Sequence, residues 1–214
     1  MAPCAVGICA IVAVFLASAM VMTSLAIATV VAIIIASRHS ARACTVETLD
    51  IAASLKARGA EALRQGDADA AELACAHAVE LLDKLEGEST PIGREEEASD
   101  LRRACLLNQA SAALKLSDWV LAIDCCTRVI ESGEGTASAL RAKALFRRGA
   151  ARTEMSDFDA AKADLRQASV LEPASKEVRD QFAICKEREL AARRAEDDAQ
   201  RGVFAKMFSS DSQS

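Results

Sequence analysis

The chain has 214 residues, with 26 basic and 31 acidic side chains and a formal net charge of −5. This length allows one globular domain or two small ones, and a nucleic-acid surface is not expected because no basic patch is interleaved with aromatic residues. Six Phe, one Trp and no Tyr leave little material for a β-sandwich or a barrel, whereas the abundance of Ala, Leu, Glu, Arg and Lys favours helices.

The N-terminal segment is apolar. Residues 1–36 contain no Lys, Arg, Asp, Glu or His, and the run 4–36 exceeds the roughly 20 residues that span a bilayer. It predicts a transmembrane anchor with a juxtamembrane segment over 1–43. A secretory signal is the alternative, because Ala41-Arg42-Ala43 is typical of a cleavage site, although the run is longer than an ordinary signal and lacks a basic start. A buried soluble helix is the third interpretation.

Basic residues flank this run only on its C-terminal side, at Arg38, Arg42, Lys56 and Arg58. An excess of basic residues stays on the cytoplasmic side of a membrane. We therefore expect a single-pass protein with its N-terminus outside or lumenal and residues 37–214 in the cytosol. Cleavage of the run would instead give a secreted protein.

The cysteines and histidines do not predict a metal site or a cofactor. There is no C-x-x-C pair, and His39 and His77 are not spaced to assist a metal. In the polar part of the chain we expect the cysteines to be small buried apolar groups. The eight cysteines are Cys4, Cys9, Cys44, Cys75, Cys105, Cys125, Cys126 and Cys185.

Three stretches after residue 50 align with one another: 59–71, 110–122 and 149–161. Each begins with a small residue, has a Gly-Asp or Ser-Asp pair seven residues later, and ends with Ala. Small residues allow two antiparallel helices to approach closely, and the Asp of the pair can cap the second helix. The stretches begin 51 and 39 residues apart, which fits a period of about 34 residues with two insertions.

This pattern, closed in the third unit by Pro173, is that of the tetratricopeptide repeat. It predicts an all-α solenoid of three helix–turn–helix repeats over 44–173, followed by a capping helix over 174–208 and a disordered tail over 209–214. The three repeats are predicted at about 50–86, 100–133 and 139–173. In the capping helix we expect Ser175 to cap the start and Val178, Phe182, Cys185 and Leu190 to form an apolar stripe.

Four polar residues fall on the groove that the first helix of each unit lines in such a stack. Lys143 and Arg147 are four residues apart and share one helix face, and cations beside an amide suit carboxylates. Any one of these residues alone is ordinarily a solvated charge, but matching positions in three units favour a binding site. The four are Lys56, Asn108, Lys143 and Arg147.

The tetratricopeptide domain of the large FK506-binding immunophilins and related co-chaperones resembles this chain over about residues 50–208. The likeness is carried by Leu55-Lys-Ala-Arg-Gly59, Leu107-Asn108, Lys143-Ala-Leu-Phe-Arg-Arg-Gly149 and Phe158-Asp-Ala-Ala-Lys-Ala-Asp-Leu165. In that family the groove clamps the two carboxylates of the C-terminal Glu-Glu-Val-Asp peptide of cytosolic heat-shock chaperones.

The resemblance implies a co-chaperone-like module that binds the acidic tail of a seventy- or ninety-kilodalton chaperone through Lys56, Asn108, Lys143 and Arg147. The apolar run 4–36 adds the expectation that this module is membrane-anchored. A fifth clamp position, usually Asn, is Ala60 here. A structural adaptor that binds another helix or peptide, without need of a C-terminal carboxylate, is the alternative. A relic of an enzyme-linked immunophilin is a third interpretation.

We do not expect an enzyme. The family often carries a prolyl isomerase domain before the repeats, and the segment from Ser37 to Asp50 is shorter than the roughly 100 residues of a domain. No Ser-His-Asp arrangement or phosphate loop is present either. The segment Val203–Phe208 resembles one linked to calmodulin in immunophilins, and the alternative is that it completes the capping helix.

Overall fold

The computed structural model describes residues 46–88, 94–133 and 137–210. The chain divides into two compact units, 1–48 and 49–214, and of the first unit only residues 46–48, which are helical, are described. Within the three described ranges, no helix is long and apolar enough to cross a membrane. The predicted anchor over 1–43 lies outside the described residues.

The described residues form seven helices and no strand, which confirms the all-α prediction. Ala, Leu, Glu and Arg dominate them, and these residues lose little freedom in a helix. The helices are α1 (46–65), α2 (Ala68–Glu88), α3 (Glu95–Leu116), α4 (Trp119–Glu131), α5 (Ser138–Glu154), α6 (Phe158–Leu171) and α7 (Lys176–Ser210).

From α2 onwards each helix packs against the next one in the chain, and α3 and α5 as well as α5 and α7 also touch. This contact pattern is that of stacked helical hairpins, in which each unit touches its neighbours. Leu82, Leu106, Leu145 and Leu165 are fully buried in α2, α3, α5 and α6. Burying each such side chain contributes about 1.5–3 kcal/mol, so the stack has a continuous apolar interior.

The five cysteines of the described part are free and buried, as expected for small apolar groups. Burial raises the pKa of the Cys75 thiol to about 11 and those of Cys105, Cys125 and Cys126 to about 12. These thiols therefore stay protonated near neutral pH and are poor nucleophiles and metal ligands.

The turn inside each helix pair has the same construction. Gly66, Ser117 and Ser156 have positive φ angles of 86°, 61° and 63°, and the Asp that follows each one caps the second helix. The carboxylates of Asp67, Asp118 and Asp157 accept from the backbone N–H groups three residues later, at 3.0, 3.0 and 3.4 Å. The capping predicted from the repeated small-Asp pair is thus confirmed at all three turns.

Glycine sets the distance between the two helices of a pair. A Cβ placed on Gly59 of α1 would lie 2.5 Å from the Cys75 Sγ of α2, and one placed on Gly149 of α5 would lie 2.8 Å from the Leu165 Cγ of α6. Both distances are far below van der Waals contact. The helices of these two pairs can therefore pack this closely because glycine has no side chain.

The insertion after the first pair lengthens the helices beside it. α2 has 21 residues and α3 has 22, whereas α4 and α6 have 13 and 14. The acidic residues Glu95, Glu96 and Glu97 form the first turn of α3, where negative charge favours the helix dipole. Residues 95–99 before Asp100 are therefore helical.

The closing helix α7 begins as the sequence predicts. The Ser175 hydroxyl accepts from the Val178 N–H at 3.4 Å, and Val178 and Cys185 are buried with Phe182 packed beside them. Leu190, by contrast, is 53% exposed. The helix continues through Ser210, two residues past the predicted boundary at 208, and residues 211–214 lie outside the described part.

Candidate functional site

The four residues predicted from the sequence lie on the first helices of the three pairs. Lys56 is half-buried on α1, Asn108 is half-buried on α3, and Arg147 is half-buried on α5, while Lys143 is exposed one turn earlier on α5. Because α3 and α5 pack against each other, residues on their facing sides come within reach of one another.

Arg147 reaches across from α5 to α3. One of its guanidinium nitrogens, Nη1, donates to the carbonyl oxygen of Leu107 at 2.5 Å, next to Asn108 in the chain. A guanidinium carries five N–H donors in a planar fork. This bond holds the group over α3, and the other donors remain available for a second acceptor.

The charge of Lys56 acts on the thiol of Cys105 in α3. Burial raises the pKa of the Cys105 thiol, the nearby Cys75 raises it further, and the positive charge of Lys56 opposes them. Cys105 precedes Asn108 by three residues, so the two are neighbours along one side of α3. Arg147 thus contacts Leu107, and the charge of Lys56 acts on Cys105, three residues before Asn108.

Three cations of this site have no carboxylate partner among the described residues. Lys56, Lys143 and Arg147 form no salt bridge there, whereas Arg148 and Arg152, also on α5, both bind Asp164 of α6 at 2.7 Å. Cations without an ion-pair partner produce a positive potential that attracts anions.

Arg147 is also partly desolvated. Its burial lowers the pKa of the guanidinium, an effect that the neighbouring Cys126 opposes. Hydrogen bonds between ionised groups are stronger where water is excluded. A carboxylate that met Arg147 here would therefore be held more firmly than one at a fully exposed arginine.

The sequence did not reveal what orients α5. Asp164 is 3% exposed, and it accepts from Arg148 at 2.7 and 2.9 Å and from Arg152 at 2.7 Å. Arg148 also donates to the Thr127 hydroxyl of α4 at 3.1 Å. This buried cluster joins α4, α5 and α6 and so contributes to the rotation of α5 that directs Arg147 toward α3. Asp164 is one of four charged residues of α6, with Asp159, Lys162 and Arg166, so the sequence alone did not single it out.

Ala60 lies on α1, one turn after Lys56, and is half-buried. Its methyl group supplies no hydrogen bond, so this corner of the site lacks a polar side chain at that position. Across the described residues no group of His, Cys, Asp and Glu is arranged to hold a metal ion.

Comparison with known proteins places the chain in context. No protein-family model matches it. The peptidyl-prolyl cis-trans isomerase FKBP4 of Mus musculus is 31% identical over 153 residues, which cover 71% of this chain and 32% of that protein. The chain thus spans about a third of the length of this relative.

Two solved structures are similar. The C-terminal TPR-containing domain of a Plasmodium falciparum FK506-binding protein has a TM-score of 0.62 and 22% identity, and the match covers 70% of this chain and 95% of that one. The second TPR domain of human RPAP3, in complex with the HSP70 peptide SGPTIEEVD, has a TM-score of 0.50 and 25% identity, and the match covers 65% of this chain and 98% of that one.

The helix pairs and these likenesses define the class of the protein: residues 46–210 form a tetratricopeptide-repeat domain. More particularly, the chain is homologous to FKBP4 at the tetratricopeptide region of that protein. The homology to FKBP4 is to its tetratricopeptide region only.

Proposed function

We propose that this chain is a co-chaperone-like binding module whose groove holds the acidic C-terminal tail of a cytosolic heat-shock chaperone of the seventy- or ninety-kilodalton class. Lys56, Asn108, Lys143 and Arg147 form the carboxylate clamp. The observation that carries the proposal is that Lys56 on α1 and Lys143 and Arg147 on α5 form no salt bridge among the described residues, while Arg147 reaches the Leu107 carbonyl beside Asn108.

The chemistry of the four side chains fits two carboxylates close together. Arg147 offers a planar fork suited to a bidentate bond with one carboxylate, Lys56 and Lys143 offer ammonium groups, and Asn108 offers an amide donor. The likeness to the RPAP3 domain, which was solved with a peptide ending in Glu-Glu-Val-Asp, supports a ligand of this kind.

A titration with the peptide SGPTIEEVD, as free acid and as C-terminal amide, tests the proposal. The free acid is expected to bind the wild-type chain in the micromolar range, and the amide at least tenfold more weakly because it lacks one carboxylate. The K143A/R147A variant is expected to lose most of the affinity for the free acid. Isothermal titration calorimetry measures each dissociation constant.

Arg141 provides a matched control on the same helix. It is exposed and lies two residues before Lys143, so it projects to nearly the opposite side of α5. Arg141→Ala should change the dissociation constant less than twofold. Equal affinity for the free acid and the amide would reject the clamp and favour the structural adaptor, whose binding does not depend on a chain end.

Membrane attachment is a second part of the proposal. The uncharged run 4–36 followed by basic residues suits a single anchor with the repeats in the cytosol. Tethering raises the local concentration of the module, so that a micromolar clamp suffices to recruit a chaperone to the membrane. In sealed microsomes, protease added outside should digest residues 46–210, and protection of this part would instead support secretion.

A further inference from the structure

A groove between α6 and α7 contains none of the four clamp residues. It encloses about 360 Å³. Its apolar lining combines Leu165 and Val178, which are buried, with Phe182, which is half-buried, and Val170, which is 78% exposed. Val170 and Phe182 therefore leave apolar surface in contact with water.

Cations surround this apolar lining. Arg166 and Arg179 line the groove, the guanidinium carbon of Arg166 lies 5.9 Å from the centroid of the Phe182 ring, and the Lys186 ammonium lies 4.8 Å from it. In the described part of the chain none of these three cations is in a salt bridge, and no carboxylate lines the groove.

The other end of the same helix seam is electrically balanced. Lys162 of α6 bridges Asp159 at 3.0 Å and Glu189 of α7 at 2.9 Å, and Glu189 also binds Arg193 at 2.6 Å. Asp159 and Glu189 are thus already paired at this end of the α6–α7 interface. These ion pairs lie outside the groove, where Arg166, Arg179 and Lys186 form no salt bridge with a described residue.

The groove lies between the last two described helices. Each helix from α3 to α6 packs between its two neighbours in the chain, and α7 packs against α5 and α6. A helix laid along the seam of α6 and α7 would cover Val170 and Phe182 in the way that the next member of a repeat stack covers its predecessor.

We propose that this groove is a second docking site, which binds an acidic amphipathic helix of a partner protein. The apolar face of that helix covers Val170 and Phe182, and its flanking carboxylates bind Arg166, Arg179 and Lys186. Charge complementarity selects the partner, because a basic or neutral helix of the same shape would leave the three cations unpaired. The site is independent of the carboxylate clamp.

To test this proposal, the full chain is reconstituted in nanodiscs of neutral lipid and exposed to a mixture of peptides. The peptides have about 15 residues, or about four helical turns, with Leu, Ile, Phe or Trp along one face and Glu, Gln or Lys at the flanking positions. All are C-terminally amidated, so that they lack the free chain end that the clamp requires. Peptides retained by the chain are identified by mass spectrometry, and their dissociation constants are measured by fluorescence polarisation.

The wild-type chain should retain peptides flanked by Glu at least tenfold better than those flanked by Lys, and R166E/R179E should abolish this preference. Val170→Glu, at a 78% exposed position where folding is not at risk, should weaken binding by about tenfold through a repelling charge. Arg194→Glu, on an exposed part of α7 outside the groove, should change it less than twofold.

The K143A/R147A variant should bind these peptides as the wild type does, which separates this site from the clamp. Equal retention of the Glu and Lys peptides by the wild type would overturn the proposal. A preference for Glu that survives both R166E/R179E and Val170→Glu would overturn it as well, because the binding would then lie elsewhere.

Discussion

Replacement of Gly59 by Ala tests whether the spacing of the first helix pair depends on the absence of a side chain. The added Cβ would lie 2.5 Å from the Cys75 Sγ and 3.4 Å from the Ala71 carbonyl oxygen. The second distance is an ordinary contact, but the first requires a movement of about 1 Å. Cys75 is fully buried, so its sulfur has no open space into which it can turn.

The magnitude follows from two opposing effects. Overpacking a close-packed interior costs about 1–3 kcal/mol, and Ala in place of Gly inside a helix stabilises by about 1 kcal/mol. Gly59→Ala should therefore lower the free energy of unfolding by about 1 kcal/mol. Cys75→Ala alone removes one buried atom and should cost a similar amount, about 1 kcal/mol.

The double variant G59A/C75A distinguishes this explanation from a general effect of the substitutions. The new methyl group occupies space that the sulfur has left, so the double variant should be more stable than the sum of the two single changes predicts, by about 1–2 kcal/mol. Urea unfolding of the four proteins, followed by circular dichroism, measures this coupling free energy.

Gly202 of α7 serves as a control, because a Cβ there would meet no heavy atom within 4 Å. Gly202→Ala should leave the midpoint of unfolding unchanged or raise it. If Gly59→Ala is as stable as the wild type, or if the coupling free energy is zero, the close approach of α1 to α2 does not limit the size of residue 59.

Four further outcomes are expected. Ala60→Asn should place an amide beside Lys56 and tighten binding of SGPTIEEVD by about tenfold. This is the effect of about 1.5 kcal/mol for one added hydrogen bond to a charged group. An unchanged dissociation constant in calorimetry would show that residue 60 does not reach the bound peptide. Ser117→Gly should stabilise by about 0.5 kcal/mol in thermal unfolding because Ser117 has φ 61°, whereas Ser111→Gly inside α3 should destabilise by about 1 kcal/mol. Asp164→Ala should lower the free energy of unfolding by about 3 kcal/mol, because Arg148 and Arg152 both lose the buried carboxylate that they bind. A loss below 1 kcal/mol in urea unfolding would show that this ion-pair cluster does not hold α5 and α6 together. Burial raises the pKa of Cys126 from 9.0 to about 12. Between pH 9 and 12 the thiol therefore ionises in the unfolded chain but not in the folded one, and the free energy of unfolding should fall as the pH rises over this range. The fall should be smaller in Cys126→Ala.

Local features of the sequence determined the helices and their turns. The small-Asp pairs predicted the turns and caps because the residues that form them are adjacent in the chain, and Asp67, Asp118 and Asp157 all cap as expected. The glycines at Gly59 and Gly149 predicted close helix pairs because a missing side chain has the same effect wherever the helix lies. The local signal for the start of α3 is the acidic run 95–97, which favours the first turn of a helix, whereas the second repeat was predicted to start at about 100.

The tertiary structure alone decided the partners of the charges. Arg147 and Arg148 are neighbours in the sequence, yet they point about 100° apart around the helix, one to the Leu107 carbonyl of α3 and the other to the buried Asp164 of α6. The sequence identified the cations but not their bonding partners, because an ion pair joins residues that are brought together only by the packing of the helices. Which arginine remains available for a ligand is therefore set by the neighbouring helices.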